Sequence, residues 1–312
     1  MMNYPAPIVL FTYKRLDTLR QCVAALQQNY LAGDSELFIF SDAAKRESEK
    51  IEVESVRNEL KLIRGFKKVT IYETPYNKGL ANSIIDGVTQ VINTYKKVIV
   101  LEDDLVASGN FLCFMNKALD YYEYIEKVFS ISGYTIPIDN AKDDVYFTRR
   151  SSSWGWATWK DRWEKVDWEL NDYIQWNKSP VNRKSFNKMG SDMSKMLKDQ
   201  MTGKIDSWAI RWCYNQFLRH QYTVYPTLSK IINIGTDANA THTYDKFNRW
   251  ATILDVSNKT DFIFNNDIKL EQHYLTQFLK QFSVNSRIKY KILNFYSKLF
   301  KSSTPKAGAE DI

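Results

Sequence analysis

The feature that most constrains this chain is a short apolar run ending in three carboxylates, Lys97-Val98-Ile99-Val100-Leu101-Glu102-Asp103-Asp104. An unbroken aliphatic run of this length reads as a strand buried on both faces of a parallel sheet. In open α/β sheets, ligands collect beyond the carboxyl ends of such strands. Three negative charges packed there repel one another unless something positive neutralises them. A hard divalent cation, Mg²⁺ or Mn²⁺, held by oxygen ligands and shared with a substrate phosphate meets that need. A solvated acidic turn after a strand is the alternative on spacing alone.

The residues before this run alternate between two periods. Strands are expected over 7–12, 36–40, 69–72 and 98–101, and helices over 16–28, 44–63 and 80–94. Asp17 or Thr18 is placed to cap the first helix, and Asn77-Lys78-Gly79 is a turn signal before the third. Strands alternating with helices imply a mostly parallel α/β sheet flanked by helices on both faces. After a further strand at 128–132 the pattern changes to a Trp-rich block, a polar stretch over 171–204 and a helix over 207–220. This reads as an irregular second subdomain, and the chain divides into 1–130, 131–265 and a tail over 266–312.

The tail carries apolar stripes at Leu275, Phe278, Leu279 and Phe282, then at Ile288, Ile292, Phe295, Leu299 and Phe300. Arg287, Lys289, Lys291, Lys298 and Lys301 lie between the latter. Such a basic amphipathic helix suits peripheral contact with an anionic membrane surface, or docking on the body with solvated lysines. Residues 302–312 read as disordered. A net charge of +7 admits anionic partners. Nucleic acid is not expected, because the basic residues are not interleaved with aromatics on one strand face and no recognised module appears. The 9 Trp, 19 Tyr and 17 Phe suit stacking on sugar rings or bases, and a large aromatic core explains them equally well. Cys22, Cys113 and Cys213 form no CxxC pair and read as reduced thiols. With no signal peptide and no apolar run near the roughly 20 residues that span a bilayer, a cytoplasmic protein is expected, resting peripherally on the inner face of the membrane.

The strand end from Leu10 to Arg15, then Asp42, then Asn77-Lys78-Gly79, then Glu102-Asp103-Asp104 occur in an order that resembles GT-A fold, nucleotide-sugar glycosyltransferases. Within that class the chain resembles the N-acetylglucosaminyltransferase I family and its bacterial relatives. That family's Glu-Asp-Asp, Gly-Trp and Asp-x-Trp segments are matched by Glu102-Asp103-Asp104, Gly155-Trp156 and Asp206-Ser207-Trp208, over roughly residues 6–245. The resemblance implies a GT-A (Rossmann-like) fold, with residues 1–130 as the nucleotide-sugar half and 131–265 as the acceptor-binding and catalytic half.

It also implies roles. Asp104 binds the metal, Asp103 the donor sugar and Glu102 the ribose or sugar hydroxyls, with these three interchangeable. The metal stabilises the departing diphosphate as a Lewis acid. Asp206 is the general base that an inverting transfer to a hydroxyl requires; capping the helix that follows is its other possible task. Thr12, Tyr13 and Arg15 hold the donor's base, ribose and phosphate, and Asp42 hydrogen-bonds uracil or ribose. The amides of Asn77, Lys78 and Gly79 face the nucleotide. Trp154, Gly155 and Trp156 contact the acceptor, with core packing as the alternative for the tryptophans. His242, in a loop after Asn233-Ile234-Gly235, is a candidate for the metal or a phosphate. The expected activity is metal-dependent, inverting transfer from a UDP-sugar to a glycan or lipid-linked acceptor in bacterial surface polysaccharide synthesis. A sugar nucleotidyltransferase, or a non-catalytic nucleotide-sugar- or glycan-binding module on the same fold, is the alternative.

Overall fold

The computed structural model describes residues 4–235 and 247–301, with side chains as far as residue 296. In chain order the elements are β1 (Ile8–Thr12), α1 (Leu16–Gln27), β2 (Glu36–Ser41), α2 (Lys50–Leu60), β3 (Lys68–Glu73), α3 (Leu80–Tyr95), β4 (Lys97–Glu102), β5 (Leu105–Ala107) and α4 (Phe111–Tyr122). They continue with β6 (Val128–Ser132), β7 (Val145–Thr148), β8 (Trp156–Trp159), α5 (Lys160–Trp163), α6 (Tyr173–Lys178), α7 (Pro180–Phe186), α8 (Met193–Met201) and α9 (Trp208–Leu218). Last come β9 (Tyr222–Pro226), β10 (Ile231–Asn233), α10 (Gln272–Phe282) and α11 (Val284–Lys301).

An eight-stranded sheet in the order β3-β2-β1-β4-β8-β6-β9-β7 forms the centre. β3, β2, β1 and β4 are mutually parallel. β8 enters antiparallel between β4 and β6, β9 runs parallel to β6, and β7 closes the edge antiparallel. Helices cover both faces, so the fold is the mostly parallel α/β arrangement expected of a GT-A protein. The two-residue alternation of strands explains how one run feeds two cores. Ile8, Leu10, Ile99 and Leu101 pack with α1 and α4, while Val9, Phe11, Val98 and Val100 pack with α3 and the tryptophans.

Several local expectations change. Neither Asp17 nor Thr18 caps α1; the Thr18 hydroxyl donates back to the Arg15 carbonyl at 3.2 Å. The charged helix is shorter than 44–63, because Glu49 gathers Tyr13, Lys14 and Arg46 and fixes a separate 3-10 turn ahead of α2. The polar stretch after 171 is helical. α6, α7 and α8 bury Trp176, Phe186 and Leu197 against Ile210 and Tyr214 of α9 in a small core of their own. The tail splits at Ser283, whose backbone is extended. α10 docks Tyr274, Phe278 and Phe282 onto the body, with Tyr274 and Phe278 against Tyr146. α11 leaves Ile288, Ile292 and Phe295 about half exposed. The three cysteines are free thiols. No helix among the described residues is long and apolar enough to cross a membrane.

Candidate active site

β1 and β4 are neighbours in register, with Phe11 beside Glu102, so the loops leaving them meet at the sheet rim. There the Thr12 hydroxyl and the Tyr13 amide donate to Asp103 Oδ2 at 2.9 and 3.1 Å. Arg15 Nη2 bridges Asp103 Oδ1 at 3.0 Å and Asp104 Oδ2 at 2.9 Å. Burial opposes the charge on Arg15, but Asp103 and Asp104 outweigh it and raise the guanidinium pKa. The Asp103 carboxyl is held above its ordinary value by burial, against the pull of Arg15. Glu102, one position earlier and so on the opposite face, is pushed up to about 8 by burial and then by Asp104 and Asp103. One guanidinium thus serves three carboxylates.

β10 pairs antiparallel with β5 and carries the chain back over the triplet. The Ile234 amide donates to the Asp104 carbonyl at 2.9 Å, and Gly235 follows. A β-carbon at Gly235 would stand 2.2 Å from Asp104 Oδ2 and 2.7 Å from Arg15 Nη1, so any side chain there would displace those groups or the strand. Gly235 is a site residue that sequence reasoning passed over; the signal was a glycine two residues after a short apolar strand.

A metal finds no ready cage: among the described residues no three His, Cys, Asp or Glu side chains converge on a metal-sized point. The donor set still fits Mg²⁺ or Mn²⁺, which take one or two carboxylates and complete their shell with water and substrate phosphate. Asp104, whose Oδ2 accepts from Arg15, is the carboxylate that could take such an ion, since Asp103 accepts from Thr12, Tyr13 and Arg15 together. Two aspartates facing one guanidinium leave a net negative charge that would attract the ion. His242 lies outside the described residues.

Asp42 sits at the end of β2 and is nearly buried. Its Oδ1 accepts from the Ala43 and Lys78 amides at 2.9 Å and from the Thr74 hydroxyl at 3.0 Å, while Oδ2 accepts from the Gly79 amide at 2.9 Å. The expectation that the Lys78 and Gly79 amides face a nucleotide therefore does not hold; both are turned onto Asp42. Asn77 is likewise engaged, donating to the Ala43 carbonyl at 2.7 Å, and Lys78 Nζ pairs with Asp86. These residues build the wall between β2 and α3. The Tyr13 hydroxyl donates to Glu49 at 2.7 Å, away from the triplet, and only its amide serves Asp103.

Asp206 precedes α9 across from that wall, with Oδ2 4.0 Å from where a β-carbon on Gly79 would lie. It does not cap α9. Ser207 does, accepting from the Ile210 amide at 3.4 Å. Asp206 is 61% exposed and held from one side by Arg211 Nη2 at 3.2 Å. A carboxylate so placed is open to solvent on the side away from Arg211.

The Trp-rich segment divides. Trp156 lies in β8 between β4 and β6 and is 1% exposed, its ring packed on those of Trp163, Trp208 and Trp212. It belongs to the core and cannot touch an acceptor. Gly155, at φ +58°, approaches Ile231 and Phe111 closely, so its missing side chain serves strand packing instead of a ligand. Trp154 alone keeps a partly open ring, set edge-on to Tyr134 and Trp250.

No curated protein matches the chain. Among solved structures, a mannosyltransferase from Pyrobaculum calidifontis in complex with GDP-Man and Mn²⁺ is 13% identical over 51% of this chain and 46% of that one, with a TM-score of 0.38. TarS from S. aureus is 10% identical over 74% of this chain and 37% of that one, with a TM-score of 0.39. The matched part thus spans less than half of either protein, and likenesses this distant carry no argument about function. The narrower resemblance to N-acetylglucosaminyltransferase I gains no support from these matches. The glycosyl transferase family 2 pattern covers residues 8–190, more than half of the chain, and takes in β1, Asp42, the Asn77–Gly79 turn and the acidic triplet. The chain belongs to glycosyl transferase family 2.

Proposed function

We propose that this glycosyltransferase moves a hexosyl group, with inversion, from a UDP-sugar to a glycan hydroxyl, with Mn²⁺ or Mg²⁺ at Asp104. The observation that carries the reading is the Arg15 bridge between Asp103 and Asp104 beneath Gly235. It sets one cation and paired carboxylates at the rim where a diphosphate would lie. When bound, the metal withdraws charge from the leaving diphosphate. Arg15 is the fixed cation that shares this task, because its fork binds phosphate oxygens as well as carboxylates. Asp103, locked by Thr12 and Tyr13, presents a rigid edge for the sugar. Asp206 takes the acceptor hydroxyl's proton, and Trp154 offers a ring face to the acceptor.

A lipid-linked acceptor at the cytoplasmic face of a membrane, in bacterial surface polysaccharide synthesis, extends the same reading. The half-exposed Ile288, Ile292 and Phe295 on a helix rich in Lys and Arg support it. Family membership favours this chemistry over a sugar nucleotidyltransferase or an inert binding module.

The test is donor hydrolysis. Purified protein with Mn²⁺ and a panel of nucleotide sugars is expected to release UDP slowly without acceptor, and chelator is expected to stop it. Release of GDP or dTDP from the matching donors, with none from UDP-sugars, corrects the nucleotide. No release from any donor with any metal overturns the reading.

A further inference from the structure

Arg150, Arg249 and Arg287 gather around a single carboxylate, Asp192. Arg150 uses it fully, donating from Nη1 to Oδ1 at 2.8 Å and from Nη2 to Oδ2 at 3.0 Å. Arg287, near the start of α11, reaches Ser191 Oγ at 2.6 Å through Nη2. Arg249 lies within the field of Asp192, Arg150 and Arg287. Among the described residues, Arg249 Nη1 and Arg287 Nε are buried with no hydrogen-bond partner. Buried donors without partners are rare in folded proteins and call for an occupant. The Arg249 pKa is lowered by burial, and the neighbouring Arg150 and Arg287 push the same way against Asp192.

The walls are aromatic. Arg249 stacks 4.2 Å above Trp250 and Arg150 stacks 3.9 Å above Phe282. Trp250 touches both Phe282 and Trp154. Trp154 adjoins Gly155, which packs on Ile231 in β10, and β10 leads to Gly235 on Asp104. Four residues of extended chain span at most about 14 Å. A continuous run of contacts through Trp250, Trp154, Gly155 and β10 therefore links the arginines to the rim. Guanidinium forks with spare N–H groups match the tetrahedral oxygens of a phosphate.

We propose that Arg150, Arg249 and Arg287 form a binding site for a phosphate or diphosphate group carried by the acceptor. The word acceptor rests on the glycosyltransferase reading above; the anion site itself does not. The diphosphate has two possible sources, a lipid carrier or a soluble sugar phosphate.

The experiment titrates inorganic pyrophosphate into the full chain by calorimetry in EDTA, which withholds metal from the donor rim. A second arm uses farnesyl diphosphate in phosphatidylcholine vesicles, read by co-sedimentation. Arg249→Gln and Arg287→Gln are each expected to weaken binding about tenfold or more. Arg249→Lys, which keeps the charge, is expected to recover part of it and so separates lost charge from a lost fold. Tighter capture by the vesicles than by pyrophosphate assigns the group to a lipid carrier; the reverse assigns it to a soluble one. The proposal is overturned if the unmodified chain takes up neither probe, or if both Gln variants, folded by circular dichroism, bind like it. A titration lost in Arg15→Gln but kept in Arg249→Gln places the anion at the donor rim and also overturns it. Failure of the catalytic reading registers separately, as absent nucleotide release from every donor by a chain that still binds pyrophosphate.

Discussion

Asp104 is the residue whose removal separates a cation site from an acidic turn. Asp104→Ala leaves Arg15 its contact with Asp103, so the fold is expected to hold while metal-dependent UDP release falls by at least about a hundredfold. Steady-state assays over a Mn²⁺ titration check this, and a variant that hydrolyses donor normally would remove Asp104 from the mechanism. Gly235→Ala is a subtler probe of the same spot. Its methyl would lie 2.2 Å from Asp104 Oδ2, so the strand or the carboxylate must shift. Activity is expected to drop with little change in melting temperature, because β10 stays paired to β5 at Ile231–Asn233. The acidic triplet was legible in the sequence because an abrupt change from apolar to charged is a one-dimensional signal. Gly235 was not, because its constraint comes from Asp104, far away in the chain.

At the start of α9 two adjacent residues can be probed separately. Ser207→Ala removes the cap and is expected to cost about 1 kcal/mol of stability. Asp206→Asn removes no cap and only a largely exposed ion pair with Arg211, so melting should change little while transfer to acceptor falls about 10²- to 10⁴-fold. Chemical denaturation and acceptor kinetics on the pair decide it; parallel losses in both variants would make Asp206 structural. The sequence left Asp206 divided between cap and base, because an Asp before a helix fits either task. Only the observed Ser207–Ile210 contact assigns the cap. The same limit explains Gly155-Trp156. A motif resemblance carried Trp156 to the acceptor, but β8 turned out to be inserted between β4 and β6, which buries alternate residues from both faces. Strands β1 to β4 were readable from their apolar runs. β7 to β10 are three to five residues long and have no period to detect.

Across the molecule, one buried ion pair joins distant parts of the chain. Lys230, just before β10, bonds Asp255, which also accepts from Asn110 at 3.0 Å, and both charges are almost wholly buried. Asp255→Asn leaves the ammonium without a counter-charge and is expected to destabilise the fold by about 3–5 kcal/mol. Burial raises the Asp255 pKa, but bonds from Lys230, Ser257 and Asn110 win and hold it below the ordinary value. Asp192 is lowered too, by Arg150 acting against burial. In acid the folded chain therefore binds fewer protons at these groups than the unfolded chain. Their stabilisation is complete above about pH 4 and is lost as pH falls below it; a melting temperature insensitive to pH between 5 and 2 would contradict this. The packed indoles of Trp156, Trp163, Trp208 and Trp212 have an optical corollary. Trp208 stands two positions from Asp206, so a sugar settling against that carboxylate would sit beside chromophores in mutual contact, and the chain's own ultraviolet emission would then serve as a label-free gauge of acceptor occupancy.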